Sequence, residues 1–437
     1  MMLKEVLTEA RKLAIPTKAE QAKVTVLVRE IIQKVSSEVK KQKLAAKIIV
    51  GGSVAKGTWL PGISDIDFFI IFNYEQFSDR STEISDFAEK VLLKTFPKLH
   101  RLRGSRDYFS TSHKGYNFEF VPVLDITQTH TTSLRNRKIG DFSISREQQA
   151  RNITDFSPLH IQYVAKNAKI KDDVRLVKQF MKAAGVYGAE SYIAGFSGHV
   201  ADLLVAYCGT FERFVKNVAS WQGKVIIDLS KKYKNKKEIL QLLNPSKKTG
   251  PLILIDPVEP ERNAAAALGK EKFDLLKKSC KAFLKKPSIE FFKEKHITVE
   301  SLIARKGKRK LVIFEAIPPK DKPDVAGAIM KTIFERLQKS FAENDFKILE
   351  FGWHFNKKTL FWFYFDAKSL SVKKLHPGPP ANLAKEHILG FKKAWKGHKV
   401  TVKNKRYVVE LKRKYLKPAD LAKILAKEFK LKLIHTG

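Results

Sequence analysis

Between Ile48 and Phe72 the chain reads IIVGGSVAKGTWLPGISDIDFFIIF, and this stretch restricts the fold more than any other. An apolar run ends in Gly51, Gly52 and Ser53, a loop carries Lys56, and a second apolar run opens with Asp65-Ile66-Asp67. Short β-branched and aromatic runs bounded by glycine read as buried strands. Residues two apart on a strand share a face. Asp65 and Asp67 therefore stand together while Ile66 and Phe68 face a core. Two adjacent carboxylates repel unless a cation lies between them, and a hard divalent ion such as Mg²⁺ prefers oxygen ligands.

A third acid fits the same place. YNFEFVPVLDI sets Tyr116, Phe118 and Phe120 against Asn117, Glu119 and Val121, so a strand there carries Glu119 on its polar side. Upstream, Gly51 and Gly52 permit a tight turn and close approach to a ligand. Ser53 offers a hydroxyl and an amide, and Lys56 a charge, all suited to phosphate. An acidic trio beside such a cradle fits two-metal nucleotidyl transfer. One metal activates a terminal hydroxyl, and both brace the α-phosphate as pyrophosphate leaves. A lone Asp-x-Asp is more often a solvated strand start, and a lone Glu119 an ordinary exposed charge. The combination with Gly-Gly-Ser carries the reading.

The bulk properties agree with a polyanionic partner. Eighty-three Lys+Arg against 45 Asp+Glu leave a net charge of +38, which favours nucleic acid first and anionic membrane second. At 437 residues the chain exceeds one ordinary core, and two to four domains are expected. Cys208 and Cys280 form neither a disulfide framework nor a zinc spacing, which suits a reducing interior. MMLKEVLTEARKL is charged and amphipathic, unlike a signal peptide, and no apolar run reaches bilayer length. A soluble cytoplasmic protein without membrane association is expected.

The texture changes twice along the chain. Residues 1–150 read as a compact α/β unit: a helix capped by Thr17 and Glu20 and running to about Lys41, three strands, and a helix from about Ser81 to Thr95. Residues 151–290 are mainly helical, with KDDVRLVKQFMKAAG as one amphipathic helix closed by Gly185, and GHVADLLVAYCGTFERFVKNVASW as another. From 291 to 437, strand, helix, hairpin, strand and helix follow. This is an antiparallel sheet backed by helices, a ferredoxin- or RRM-like surface of the kind RNA-binding modules use. The fold class is α+β and multidomain.

Gly-Ser, a spacer and then paired acids resemble the nucleotidyltransferase superfamily. Further motifs narrow this. IGDFSISREQQARNITDFSPLHIQYV, DVRLVKQFMKAAGVYGAESYIAGFSGHVADLLVAYCGTF, LILIDPVEPERNAAAAL and HPGPPANL, in this order, resemble class I, archaeal-type CCA-adding enzymes. The resemblance spreads over about residues 45–270 and reaches 376–383. It implies a nucleotidyltransferase-type catalytic domain, a helical central domain that also binds nucleotide, and a C-terminal tRNA-binding region. It implies template-independent addition and repair of the tRNA 3′-terminal C-C-A from CTP and ATP with Mg²⁺.

The same resemblance distributes roles. Asp65, Asp67 and Glu119 fall on the catalytic metal ligands, with Asp and Glu where the family has Glu and Asp at the first and third. Gly52, Ser53 and Lys56 fall on the triphosphate loop, where arginine is usual at the last; lysine keeps the charge and loses the planar fork. His160, Lys178 and Tyr187 fall on further nucleotide contacts, and Arg262 on the arginine that helps recognise the base. By residue type alone these four read as a capped or core histidine, one lysine of the basic helix face Lys171, Arg175, Lys178 and Lys182, a packed tyrosine and a helix-start arginine. Between Phe391 and Lys417, eleven Lys/Arg stand against Glu410 alone, with Trp395, Tyr407 and Tyr415 interleaved. The resemblance assigns this half to the tRNA acceptor stem and TΨC arm, and implies a homodimer. Related terminal transferases, such as poly(A) polymerase or oligoadenylate synthetase, and a non-catalytic RNA-binding protein with a transferase fold are the alternatives.

Overall fold

The computed structural model describes residues 2–126, 150–166 and 168–437; the first part of the motif beginning at Ile139 lies outside the described residues. The chain divides into two compact units, 1–295 and 296–437.

In the first unit, helix α1 (Leu3–Ala14) is followed by α2 (Lys18–Lys41), whose start is fixed by the capping box of Thr17 and Glu20. Strand β1 (Ala46–Val50) leads through the short helix α3 (Gly52–Lys56) to β2 (Asp65–Phe72). Helix α4 (Ile84–Thr95), β3 (His100–Leu102), β4 (Tyr108–His113) and β5 (Tyr116–Leu124) complete a five-stranded sheet of order β1-β2-β5-β4-β3. Only β2 and β5 run parallel; the other pairs are antiparallel. Ile66, Phe68, Ile70 and Phe72 bury one face of β2 with α2 and α4, and Phe68 stacks on Phe120 at 5.3 Å. The opposite face carries a small apolar cluster of Phe69, Ile71 and Val123. Asp65 and Asp67 lie on that second face, at the end where β2 begins.

A separate helical core follows, built from α5 (Ser157–Ala165), α6 (Lys171–Ala183), α7 (Gly198–Cys208), α8 (Phe211–Ser220) and α9 (Lys270–Lys285). Phe180 sits at its centre against Phe211, Phe283 and Phe292. Helix α1 packs here through Val6, Leu7, Ala10 and Ala14, not with the sheet that follows it in sequence. The segment expected to be one helix from 198 is broken: Gly209 has φ +85, and Thr210 then caps α8. Strands β6 (Val225–Asp228) and β7 (Leu252–Ile255) pair in parallel, and the sequence reading had no strand there.

In the second unit, β8 (Lys310–Ala316), α10 (Pro323–Glu343), β9 (Ile348–His354), β10 (Thr359–Phe365), α12 (Pro418–Glu428) and β14 (Lys432–Thr436) form a βαββαβ frame. Its antiparallel order, β14-β8-β10-β9, is that of a ferredoxin-like fold. Phe334, Phe341, Phe361 and Phe363 fill the space beneath α10 and α12. Inserted before α12 are β11 (Lys373–Pro380), α11 (Lys385–Ala394), β12 (Val400–Lys403) and β13 (Arg406–Lys412), which add a three-stranded sheet. No helix among the described residues is long and apolar enough to cross a membrane.

Candidate active site

The parallel register of β2 and β5 sets Asp67 opposite Glu119 and Asp65 opposite Asn117. Register partners project to the same face, so the three carboxylates share the open end of the sheet. Ser64 Oγ donates to Asp65 Oδ2 at 2.7 Å, and Asn117 Nδ2 donates to Oδ1 at 3.1 Å. Burial, then the charge on Asp65, raises Asp67, with Lys56 opposing. Burial, then Asp67 and Asp65, raises Glu119. These are groups pushed together at the expense of their charged forms. A divalent cation would relieve that repulsion, and the donors are all hard oxygens, so the residues fit such an ion.

Gly52 explains why the loop before β2 is glycine-rich. Its φ is +53, and a Cβ there would lie 1.7 Å from Asp67 Oδ2. The backbone of α3 therefore runs directly against the carboxylate, and Gly51 N–H donates to the Asp67 carbonyl at 2.7 Å. Ser53 stands beside it in α3.

Lys178 is not the solvated lysine of a basic helix face that its spacing suggests, and Lys56 is buried with it. Both bind Asp202: Lys56 Nζ lies 2.9 Å from Oδ2 and Lys178 Nζ 2.7 Å from Oδ1. Thr58 Oγ1 accepts from Lys178 at 2.9 Å. Arg175, from the same helix face, is also buried and donates to the Trp59 carbonyl at 3.2 Å. Burial alone would raise Asp202, but Lys178 and Lys56 outweigh it and hold the carboxyl below its ordinary range. Burial lowers the Lys178 ammonium, with Asp202 opposing. Two cations around one anion leave a positive excess beside the acidic trio. Burial, then Asp202, pushes the Tyr187 hydroxyl up, and a Cβ on Gly198 would lie 2.8 Å from Tyr187 Oη.

His160 and Arg262 meet at a second buried acid, Asp256, just beyond β7. His160 Nε2 lies 3.0 Å from Asp256 Oδ1, and His199 Nε2 3.0 Å from Oδ2. The Val258 amide donates to Oδ1 at 2.9 Å. Arg262 Nη1 donates to Glu259 Oε2 at 2.9 Å and lies 3.9 Å from Asp256 Oδ2. Burial alone would raise Asp256, but hydrogen bonds from the two histidines hold it well below the carboxylate range. An ionised carboxylate only accepts, so both imidazoles carry their proton on Nε2. Burial, opposed by the Asp256 hydrogen bond, pushes His199 down to about 4.

Every candidate nucleotide contact thus lies in the first unit. The sequence reading missed Asp202, Asp256 and His199, which hold several of them. The signal available was an acid inside apolar sequence: Asp202 in HVADLLVAY and Asp256 after LILI. A charge in such a place is paired.

Three family descriptions match the chain: a nucleotidyltransferase domain over residues 28–124, a tRNA nucleotidyltransferase second domain over 172–293, and a CCA-adding enzyme C-terminal domain over 312–432. A CCA-adding enzyme of Methanosarcina mazei is 28% identical over 94% of this chain and 87% of its own length. That of Nanoarchaeum equitans is 31% identical over 76% of each chain. That of Pyrobaculum aerophilum is 31% identical, covering 86% of this chain and 82% of its own.

Proposed function

Because the chain belongs to the family of CCA-adding enzymes, we propose that it adds and repairs the 3′-terminal C-C-A of tRNA, taking CTP and ATP without a nucleic-acid template and releasing pyrophosphate. The observation that carries this reading is the register pairing of Asp67 with Glu119, beside Asp65 and against the glycine turn of α3. Asp65, Asp67 and Glu119 would hold Mg²⁺. When bound, the ion supplies charge neutralisation at the α-phosphate and acidifies the attacking hydroxyl.

The protein's own groups bind and orient. Gly52 and Ser53 present backbone and hydroxyl to the triphosphate. Lys56 and Lys178, fixed by Asp202, give that region a positive excess without rotamer freedom, which lowers the entropy lost on binding. His160 and Tyr187 add polar contacts, and Arg262, braced by Glu259, offers donors to base acceptors on cytosine and adenine alike. Residues 1–150 act as the catalytic domain, 151–290 as the helical nucleotide-binding domain, and 291–437 as the tRNA-binding region. There the exposed basic segment between Phe391 and Lys417 would hold the acceptor stem and TΨC arm by phosphate contacts and shape. A homodimer in the cytoplasm completes the reading.

The test is incubation with a tRNA ending at its discriminator base, Mg²⁺, and CTP and ATP singly and together. Two cytidines from CTP alone and a third nucleotide, A, when both are present support the reading. An open-ended A tail, or no incorporation, overturns it. Asp67→Ala should abolish incorporation while tRNA binding persists.

A further inference from the structure

The cluster around Asp256 has the composition of a metal site of a different kind from the acidic trio. His160, on α5, and His199, on α7, aim their Nε2 atoms at opposite oxygens of one fully buried carboxylate, each at 3.0 Å. Their rings stand 4.5 Å apart, centroid to centroid. Among the described residues, this is a group whose three ligand atoms all lie within 4.8 Å of one another. Glu259 Oε2, 3.8 Å from His160 Nε2, is within reach as a fourth donor.

The spacing can be compared with what a metal requires. Ligands about 2.05 Å from an ion lie about 2.9 Å apart at a right angle and about 3.3 Å apart in a tetrahedron. The two 3.0 Å separations fall between these values; they run to different oxygens, so one ion would meet both imidazoles with the carboxylate taken through both of its oxygens. The carboxylate is also held in place from behind, as metal-binding acids usually are: the Val258 and Glu259 amides donate to Oδ1 at 2.9 and 3.3 Å.

We propose that His160, His199 and Asp256, with Glu259 completing the set, bind a borderline transition ion such as Zn²⁺, and that this site is separate from the acidic trio. Two imidazole nitrogens select such ions, whereas Mg²⁺ favours oxygen. An imidazole that binds an ion through Nε2 carries its proton on Nδ1. Resting on the function proposed above, occupation takes Glu259 Oε2 from Arg262, the side chain placed at the incoming base, and so inhibits addition.

The experiment uses the full chain and Co²⁺ as a visible probe. With Mg²⁺ in excess to fill the acidic trio, one equivalent of Co²⁺ with d–d absorption is expected, displaced by Zn²⁺. His199→Gln keeps a donor to Asp256 but lacks the imidazole ligand, and it should weaken binding by about tenfold to a hundredfold. Asp67→Asn should leave Co²⁺ binding intact. The site is overturned if no stoichiometric absorption develops, or if His199→Gln binds as tightly as the wild type. Zn²⁺ should raise the KM for CTP and ATP in the wild type and not in His199→Gln, each measured against its own Zn²⁺-free rate; equal inhibition of both overturns the inhibitory role. A protein that binds Co²⁺ but adds no C-C-A sinks the proposed function alone, and an active enzyme that binds none sinks the site alone.

Discussion

Asp67 and Glu119 are direct register partners across the parallel strands β2 and β5, and each is pushed toward its neutral form by burial and by its acidic neighbours. Removing either charge should therefore relieve repulsion while removing a proposed metal ligand. Asp67→Asn and Glu119→Gln are expected to melt no lower than the wild type without metal, yet to lose nucleotide addition. Saturating Mg²⁺ at a hundred times its Kd stabilises a protein by about 2.7 kcal/mol, and that gain should vanish in both variants. Calorimetry with and without Mg²⁺ checks this. A metal-free midpoint well below the wild type would mean that the carboxylates are structural.

Gly52 should tolerate no side chain. A methyl group would overlap Asp67 Oδ2 and would have to sit at positive φ. Gly52→Ala should cost about 1–2 kcal/mol of stability from the backbone conformation. Displacing a ligand by about an ångström should lower kcat/KM by about a hundredfold. Denaturant melts and single-turnover rates together separate the two effects. A fully active Gly52→Ala would show that Asp67 need not stay where it is.

Asp202 should be among the least replaceable residues. It is the buried counter-ion of both Lys56 and Lys178, and breaking a buried pair leaves its partner charged and unpaired. Asp202→Ala should cost about 3–5 kcal/mol, read from urea midpoints. Asp202→Asn, which keeps one acceptor, should cost less and raise the KM for both nucleotides. If Asp202→Ala melts like the wild type, the two lysines find other partners and their fixed placement is not due to Asp202.

The two cysteines should be inert. Cys208 and Cys280 are both buried, and burial pushes the Cys208 thiol up to about 11 and Cys280 higher still. A thiol raised by folding holds its proton through neutral pH, and its contribution to stability is lost as pH climbs from the unfolded thiol's ordinary value to the raised one. Ellman's reagent should find no fast-reacting thiol in the native protein at neutral pH and two after unfolding. Rapid native labelling would contradict the burial.

What was legible in the sequence was local. The Thr17–Glu20 capping box, the Asp-x-Asp strand and the alternation around Glu119 each declare themselves within a few residues, and the β2–β5 pairing follows from two matching apolar runs. The short strands β3 and β4 carry many polar side chains at the sheet margin, so no alternation marks them. Helices α7 and α8 share one apolar stripe, and only the positive φ of Gly209 separates them. The partners of Lys56 and His160 lie 146 and 96 residues away, and no periodicity reports such a pairing. Lys178, which reads as one lysine of a basic helix face, instead shares the buried Asp202 with Lys56.

The basic C-terminal segment gives a last test, because charge on phosphate and charge on nucleotide respond differently to salt. Lys396, Lys399 and Lys405 are exposed around α11 and the β12–β13 turn, where nothing buries their charge. Each lysine lying on a tRNA phosphate should contribute about one unit to the slope of log K against log salt. Replacing all three by alanine should flatten that slope by about three units and weaken binding to every tRNA sequence alike. On the proposed reading nucleotide binding depends on Lys56 and Lys178, which are shielded from bulk ions by burial, so the KM for CTP should change little over the same salt range. Filter binding and initial rates between low and moderate salt measure the two quantities in parallel. An unchanged slope in the triple variant would move the tRNA surface away from this segment.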